Sequence, residues 1–121
     1  MNFLELPWPP PVLFPNKSMR THWAKRSKAA KLAREAAFFL ATANHLAKPT
    51  GEMVNIRVVF EQPDRRKRDW DGMIGSVKAY LDGLSDYLGI DDSKFRLSFE
   101  FPAEPRKPGF VTMEISNAST Q

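Results

Sequence analysis

Cysteine is absent from this chain of 121 residues, and histidine occurs only at His22 and His45. The lack of cysteine excludes disulfide bonds and thiolate metal ligands, and two imidazoles make a zinc site a poor expectation. No apolar run approaches the ~20 residues that a membrane-spanning helix requires. The N-terminus also lacks the basic and then apolar segments of a signal peptide. We therefore expect a cytoplasmic protein without a membrane partner.

The residues that are present describe a globular protein with a basic surface. Hydrophobic residues make up 42% of the chain and charged residues 26%, and nine phenylalanines favour a packed core over disorder. The net charge of +4 is compatible with an anionic partner. A chain of this length supports one core. We expect a single domain over residues 1–117 and a disordered tail over residues 118–121.

Hydrophobic periodicity predicts four strands and two helices. Alternating apolar side chains or short apolar runs predict strands at residues 2–6, 53–60, 95–101 and 110–115. Helices are predicted from about residue 21 or 22 to 47 and from 70 to 88. The order β-α-β-α-β-β predicts an α+β fold, in which both helices pack on a small, mostly antiparallel sheet of about four strands.

Each predicted helix carries an apolar face that we expect to be buried. In the first helix this face consists of Leu32, Ala36, Phe39, Ala43 and Leu46. In the second helix it is a longer stripe, which comprises Trp70, Met73, Ile74, Val77, Leu81, Leu84 and Leu88. Asp71 and Lys78 are seven residues apart, so one continuous helix would place them on nearly the same solvated face beside this stripe.

The charges between residues 65 and 92 are the strongest functional signal. Four cations, Arg65 to Arg68, lead directly into Asp69 and Asp71, and Asp91 and Asp92 follow the second helix. Clustered carboxylates repel one another and repel a phosphate, whereas a divalent cation would neutralise them and attract it. An all-oxygen set of this kind suits Mg²⁺, or alternatively Mn²⁺. The pattern thus predicts a metal site facing a polyanion.

Each of these features also has an ordinary structural interpretation. An acid at a helix start is often a cap, and Asp91 with Asp92 and Ser93 is typical of a turn. Lys78 and Asp82 have the spacing of a surface ion pair on a helix. The conjunction of cations with two acidic pairs favours the functional interpretation.

The same residues resemble a known family. The segment from Pro63 to Asp71 is similar to the P-D-x-x-x-R-D-x-D core of the RusA family of Holliday-junction resolvases. The segment from Lys78 to Leu84 resembles the family's K-x-x-x-D-x-L stretch, and Asp91-Asp92-Ser93 resembles its D-D-[SA] ending. The opening Leu6-Pro7-Trp8-Pro9-Pro10 is also similar. Gly72 stands where the family usually has asparagine, and Lys78 lies three residues further along than in its best-known members.

The resemblance implies a RusA-like fold and a homodimeric, Mg²⁺-dependent endonuclease. Such an enzyme is a hydrolase that nicks four-way DNA junctions in DNA recombination and repair. By position, Asp69 and Asp71 match the family's first two metal-binding acids, and Asp92 matches the third. Asp91, the neighbour of Asp92, is a further candidate metal ligand that could take its place. Lys78 matches the active-site lysine. The three matched acids and this lysine are the predicted catalytic residues.

The basic residues near these acids are the predicted DNA contacts. Arg65, Arg66, Lys67 and Arg68 would hold the backbone of a DNA arm. A wider set of cations extends this surface, namely Lys17, Arg20, Lys25, Lys28 and Arg34.

Four alternatives stay open at this point. They are a branched-DNA-binding protein without catalysis, a Mg²⁺-dependent enzyme acting on nucleotides or small phosphate esters, a nucleotide-sugar transferase with a D-x-D motif, and a purely structural interaction module.

Overall fold

The computed structural model of the chain describes residues 2–15 and 23–117. The predicted start of the first helix and the predicted tail over residues 118–121 lie outside this range. The strands are β1 (Phe3–Pro7), β2 (Val54–Glu61), β3 (Phe95–Glu100) and β4 (Phe110–Asn117). The α-helices are α1 (Trp23–Ala43), α2 (Trp70–Ser76) and α3 (Lys78–Leu88), and short 3₁₀ turns span Pro11–Leu13 and Asp92–Lys94. No helix within the described ranges is long and apolar enough to cross a membrane.

The four strands form one sheet in the order β1-β4-β2-β3. This confirms the α+β class, but the prediction of a mostly antiparallel sheet is wrong, because the sheet is mixed. β4 pairs antiparallel with β1 and β2, whereas β3 pairs parallel with β2. The cause is the connection between β2 and β3. Helices α2 and α3 form a crossover that brings the chain back to the end of the sheet where β2 begins, so β3 runs in the same direction as β2.

The hydrophobic core lies between one face of the sheet and the helices. Alternate residues of β2 point into it, and all four of the predicted ones are fully buried: Val54, Ile56, Val58 and Phe60. The opposite face of the sheet is polar and carries cross-strand ion pairs. Arg57, for example, contacts the carboxylates of Glu100 on β3 and Glu114 on β4. Apolar and polar residues therefore alternate in β2 because the helices cover only one face of the sheet.

The buried face of α1 differs from the predicted one. Its buried residues are Ala33, Ala37 and Ala41, whereas Leu32 is 58% exposed and Phe39 is 69% exposed. The reason is the close approach of α3, which leaves room only for small side chains. The prediction that Leu32 and Phe39 belong to the buried face was therefore wrong. The gap between α1 and α3 is too narrow for large side chains and accommodates alanine. The helix ends at Ala43 and not at the predicted residue 47, and Leu46, which was placed on the same predicted face, is buried in the segment that follows it.

The second predicted helix is two helices with a break at Val77. The Ser76 hydroxyl donates a hydrogen bond to the carbonyl of Met73, and the Val77 N–H donates to the carbonyl of Ile74, three residues back. Bonds to the third preceding residue tighten the chain locally and end α2 before α3 begins. Asp71 and Lys78 therefore belong to different helices, and the argument that placed them on one face does not hold.

Most of the apolar stripe of the second predicted helix is nevertheless buried. This includes Met73, Val77, Leu81, Leu84 and Leu88. Trp70 is the exception, because its side chain is 65% exposed. Ile74 is half-buried, and burial of the stripe begins at Met73, so the first residue of α2 lies outside the core. The assignment of Trp70 to the core was therefore wrong.

Candidate active site

The loop that precedes α2 is organised around Arg68. Its guanidinium donates to the carboxylate of Asp64 at 2.9 Å and to the side-chain oxygen of Gln62 at 3.2 Å. The same group lies over the indole ring of Trp8, 5.5 Å from the ring centroid, which is cation–π geometry. Only 14% of the Arg68 side chain is exposed. Arg68 thus fixes the basic loop against the N-terminal proline segment.

Asp64 is the acidic partner in this loop. The backbone N–H of Arg66 donates to its carboxylate at 2.9 Å, and this bond is the main cause that lowers the pKa of Asp64 from its ordinary value, with Arg68 adding to the effect. The carboxylate is therefore ionised at neutral pH and holds both arginines. When the pH falls through this lowered pKa, the Asp64 carboxylate becomes protonated. The loop then loses the stabilisation that the ionised carboxylate provides.

Asp69 and Asp71 lie at the start of α2, and both are exposed. Asp69 is the residue before the helix, and its side chain makes no capping hydrogen bond to the first turn. Asp71 accepts a hydrogen bond from the N–H of Gly72 at 2.9 Å. Negative charge at this position is favoured because the N-terminus of a helix carries partial positive charge. The capping interpretation therefore does not apply to the Asp69 side chain.

Lys78 connects the start of α3 with the loop that follows the helix. Its ammonium donates to the carboxylate of Asp92 at 2.6 Å and to that of Asp82 at 2.9 Å. These hydrogen bonds, with Asp92 as the larger cause, raise the pKa of Lys78. The lysine therefore carries its charge throughout the physiological range. The fold brings Asp92 back to Lys78, which sequence alone could not establish.

Asp91 has a structural task that distinguishes it from Asp92. Its carboxylate caps the 3₁₀ turn Asp92–Lys94 by accepting from the N–H of Ser93 at 3.0 Å. Hydrogen bonding to Ser93 lowers the pKa of Asp91. Of the two neighbouring acids, Asp92 is thus the one whose carboxylate faces Lys78, while Asp91 shapes the turn that presents it.

The predicted metal ligands have the right chemistry but are not assembled. Asp69, Asp71 and Asp92 offer the carboxylate oxygens that Mg²⁺ prefers. Among residues 2–15 and 23–117, however, no three histidines or acids lie close enough together to hold one ion. The Asp92 carboxylate is instead bound by Lys78. In this arrangement the residues do not fit a three-carboxylate magnesium site.

The predicted DNA contacts have different surroundings in the structure, and Arg68 is largely buried against Asp64. Arg65 pairs with Glu104 at 2.9 Å and Arg34 pairs with Asp86, whereas Arg66 and Lys67 are exposed and their side chains make no ion pair in the described part of the chain. Lys25 and Lys28 are exposed on α1. Lys17 and Arg20 lie outside the described residues. Arg66 and Lys67 are therefore the best-placed cations next to the acids of α2.

A cavity of about 400 Å³ adjoins Asp69 and was not predicted. Its apolar wall comes from the N-terminal segment around Trp8 and Phe14, and its opposite wall comes from Pro63 and residues 66–69. The proline run beside Trp8 was the available signal, because a segment that is neither helix nor central strand must be held by tertiary contacts. Sequence alone did not pair that run with the basic loop.

Comparison with known proteins provides one relationship. No family model matches the chain. A protein of Xylella fastidiosa (strain Temecula1), which is described only as uncharacterized, is 37% identical over 124 residues, and the match covers 100% of this chain and 80% of that protein. Such identity over the full chain establishes common ancestry, while the resemblance to the RusA family remains a prediction. The chain therefore belongs to the same protein family as this Xylella fastidiosa protein.

Proposed function

We propose that the chain is a RusA-like, Mg²⁺-dependent endodeoxyribonuclease that resolves four-way DNA junctions by paired nicks. The observation that carries this proposal is the contact between Lys78 and Asp92 at 2.6 Å. Lys78 and Asp92 are fourteen positions apart in the sequence and are in contact in the fold. Both were selected from the sequence as members of one site. An ordinary surface pair of Lys78 with Asp82 does not require Asp92.

The chain's own groups can divide the work of phosphodiester hydrolysis. A carboxylate at Asp69 or Asp71 would orient a water and accept its proton as the water oxygen attacks phosphorus. Lys78, whose raised pKa keeps it protonated, would stabilise the negative charge that develops on the phosphate. The bond from phosphorus to the leaving oxygen then breaks, and that oxygen takes a proton from solvent water. The magnesium requirement comes from the resemblance alone, and none of these residue roles depends on it.

Exposed cations support binding of the DNA backbone beside these acids. Arg66 and Lys67 project from the loop that Arg68 and Asp64 hold in place. Phosphate contacts of this type position a duplex without reading its sequence. Binding should therefore weaken steeply with salt, as counterions are released from the DNA.

A cleavage assay tests the proposal directly. The protein is offered four-way, forked and linear duplex DNA of matched arm sequence in Mg²⁺, and then in EDTA. We expect paired nicks on the four-way junction, little cleavage of the linear duplex, and no cleavage in EDTA. Turnover of nucleotides or small phosphate esters without junction cleavage would instead favour the small-substrate alternative.

A non-catalytic junction-binding protein is the second candidate, because one observation favours it. No three histidines or acids in the described ranges lie close enough together to hold one ion. On this alternative the acids are structural, and DNA binding is carried by Arg66 and Lys67. It predicts junction binding that persists in EDTA together with no nicking in Mg²⁺ or Mn²⁺.

The edge of the sheet supports a homodimer. β3 is an edge strand, and Leu97 on its core-facing side is 41% exposed. If two copies of β3 pair antiparallel about Ser98, Leu97 lies opposite Phe99 and Arg96 lies opposite Glu100. Unlike charges and apolar side chains are then matched across the two-fold axis. A symmetric junction needs two nicks, which two chains would provide.

Replacing Leu97 with aspartate tests this interface. We expect wild-type protein to sediment at twice the monomer mass and Leu97→Asp to sediment as a monomer, because the substitution places charge in the apolar part of the contact. Leu32→Asp is the matched control, since Leu32 is also exposed but lies on α1. A dimer that survives Leu97→Asp would place the interface elsewhere.

A further inference from the structure

We propose that the cavity beside Asp69 binds a single nucleobase that has left the base stack at the branch point of the DNA. The cavity measures about 400 Å³, which lies within the range of roughly 300–1,000 Å³ for ligand sites. This inference rests on the proposed function, because it names the part of the substrate that the cavity would take.

The walls of the cavity suit a flat aromatic ring. Trp8, Pro11 and Phe14 line the cavity from the N-terminal segment, and Pro63 lines it from the basic loop. Proteins bind unstacked bases by packing them against aromatic side chains and arginine guanidinium planes. The guanidinium of Arg68, which already lies over Trp8, offers a second planar surface of this kind.

The walls are held at a fixed spacing. The Trp8 ring contacts Phe14 and Phe60, with ring centroids 6.2 and 6.3 Å apart, so it is anchored to the core. Gly109 has φ +99°, and a Cβ placed there would lie 3.0 Å from both Trp8 and Pro63. A glycine is therefore required where the two walls meet. A site that is already shaped needs little ordering when a ligand enters.

Charged residues in the lining of the cavity suit the phosphate of the same nucleotide. Arg66 and Lys67 are among these residues, and both are exposed. Asp69 lines the same cavity. A base in the cavity would therefore place its phosphate between the exposed cations and the first of the predicted catalytic acids. The arrangement selects an unpaired nucleotide over a stacked duplex.

Photocrosslinking tests this directly with the wild-type chain. 5-Iododeoxyuridine is placed in turn at each branch-point position of a four-way junction, and the complex is irradiated in EDTA so that the DNA is bound but not cut. We expect one position to crosslink, and peptide mapping to place the link at Trp8. A bound complex whose crosslinks map only to Trp23 or Trp70, or that gives none, would overturn the proposal.

Substitutions provide a second measurement. Trp8→Leu should weaken junction binding roughly 5- to 150-fold, which is the loss expected for one stacked base, while Trp8→Phe should restore part of it. Trp23→Leu is the matched control, because Trp23 is exposed on α1 away from the cavity. Equal effects of Trp8→Leu and Trp23→Leu on folded proteins would contradict a base-binding role.

A third measurement separates this proposal from the proposed function. Deoxynucleoside monophosphates or inorganic phosphate are added to the free protein, and the indole N–H signal of Trp8 is followed by NMR. A shift with the nucleotides but not with phosphate supports the cavity even if junction DNA is not bound, in which case the proposed function alone fails. The absence of any shift, together with no crosslink, overturns the inference while leaving cleavage untouched.

Discussion

Asp71→Asn is expected to reduce cleavage of four-way junctions by at least about 100-fold, the usual loss when a group that handles protons in the transition state is removed. The substitution keeps the shape of the side chain and deletes its charge. Asparagine can still accept the hydrogen bond from the Gly72 N–H that Asp71 accepts at 2.9 Å, so the start of α2 should persist. Rates of paired nicking at saturating Mg²⁺ provide the measurement.

Asp86→Asn is the matched control for this experiment. Asp86 is also an exposed acid on a helix, but its carboxylate pairs with Arg34 on α1. We expect the control to cut at nearly the wild-type rate. Full activity in Asp71→Asn would remove the central acid from the mechanism and favour the non-catalytic alternative. Unchanged junction affinity in Asp71→Asn, with cleavage lost, would separate chemistry from binding.

Gly83→Ala is expected to have the largest effect on folding. A Cβ at position 83 would lie 2.2 Å from the backbone oxygen of Arg34 and 2.9 Å from the Cβ of Ala37. Because α1 would have to move away from α3, we expect a loss of about 3 kcal/mol in the free energy of unfolding, the upper part of the range for overpacked cores. Urea unfolding, with the midpoint and slope compared to wild type, measures it.

Gly51→Ala controls for the general effect of replacing a glycine. A Cβ at Gly51 would meet its nearest atoms at 3.6 Å, which is ordinary contact. We expect a change within about 0.5 kcal/mol, as for other surface substitutions. If Gly83→Ala were as mild as this control, then α1 and α3 would not be in close contact. The buried face of α1 would have to be reassigned accordingly.

The strands and the class of fold followed from local patterns, and the helical packing did not. β2 was predictable because burial on one side of a sheet imposes a period of two, which Val54 to Phe60 satisfies. The buried face of α1 was not predictable in this way. Ala37 is buried because it lies close to Gly83, which is far from it in the sequence. Hydrophobicity alone predicts that Leu32 and Phe39 are buried, whereas the packing of α1 against α3 leaves both side chains exposed to solvent.

The candidate site shows the same division between local and long-range information. The charges of Asp69 and Asp71 are visible in the sequence because they stand next to the basic run. The break at Val77 was missed, although the pair Gly75-Ser76 directly precedes it and such pairs often kink helices. That break changes where Lys78 points, and its partner Asp92 is set by the loop that returns after α3.

The position of Lys78 between two carboxylates gives this end of the molecule an internal counter-ion. A lysine ammonium is a compact charge on a flexible stem, so it is drawn toward whichever anion approaches most closely. If a phosphate draws Lys78 away, Asp82 and Asp92 regain net negative charge at that moment. The local charge at this end of the molecule therefore depends on whether Lys78 contacts these two carboxylates or an outside anion.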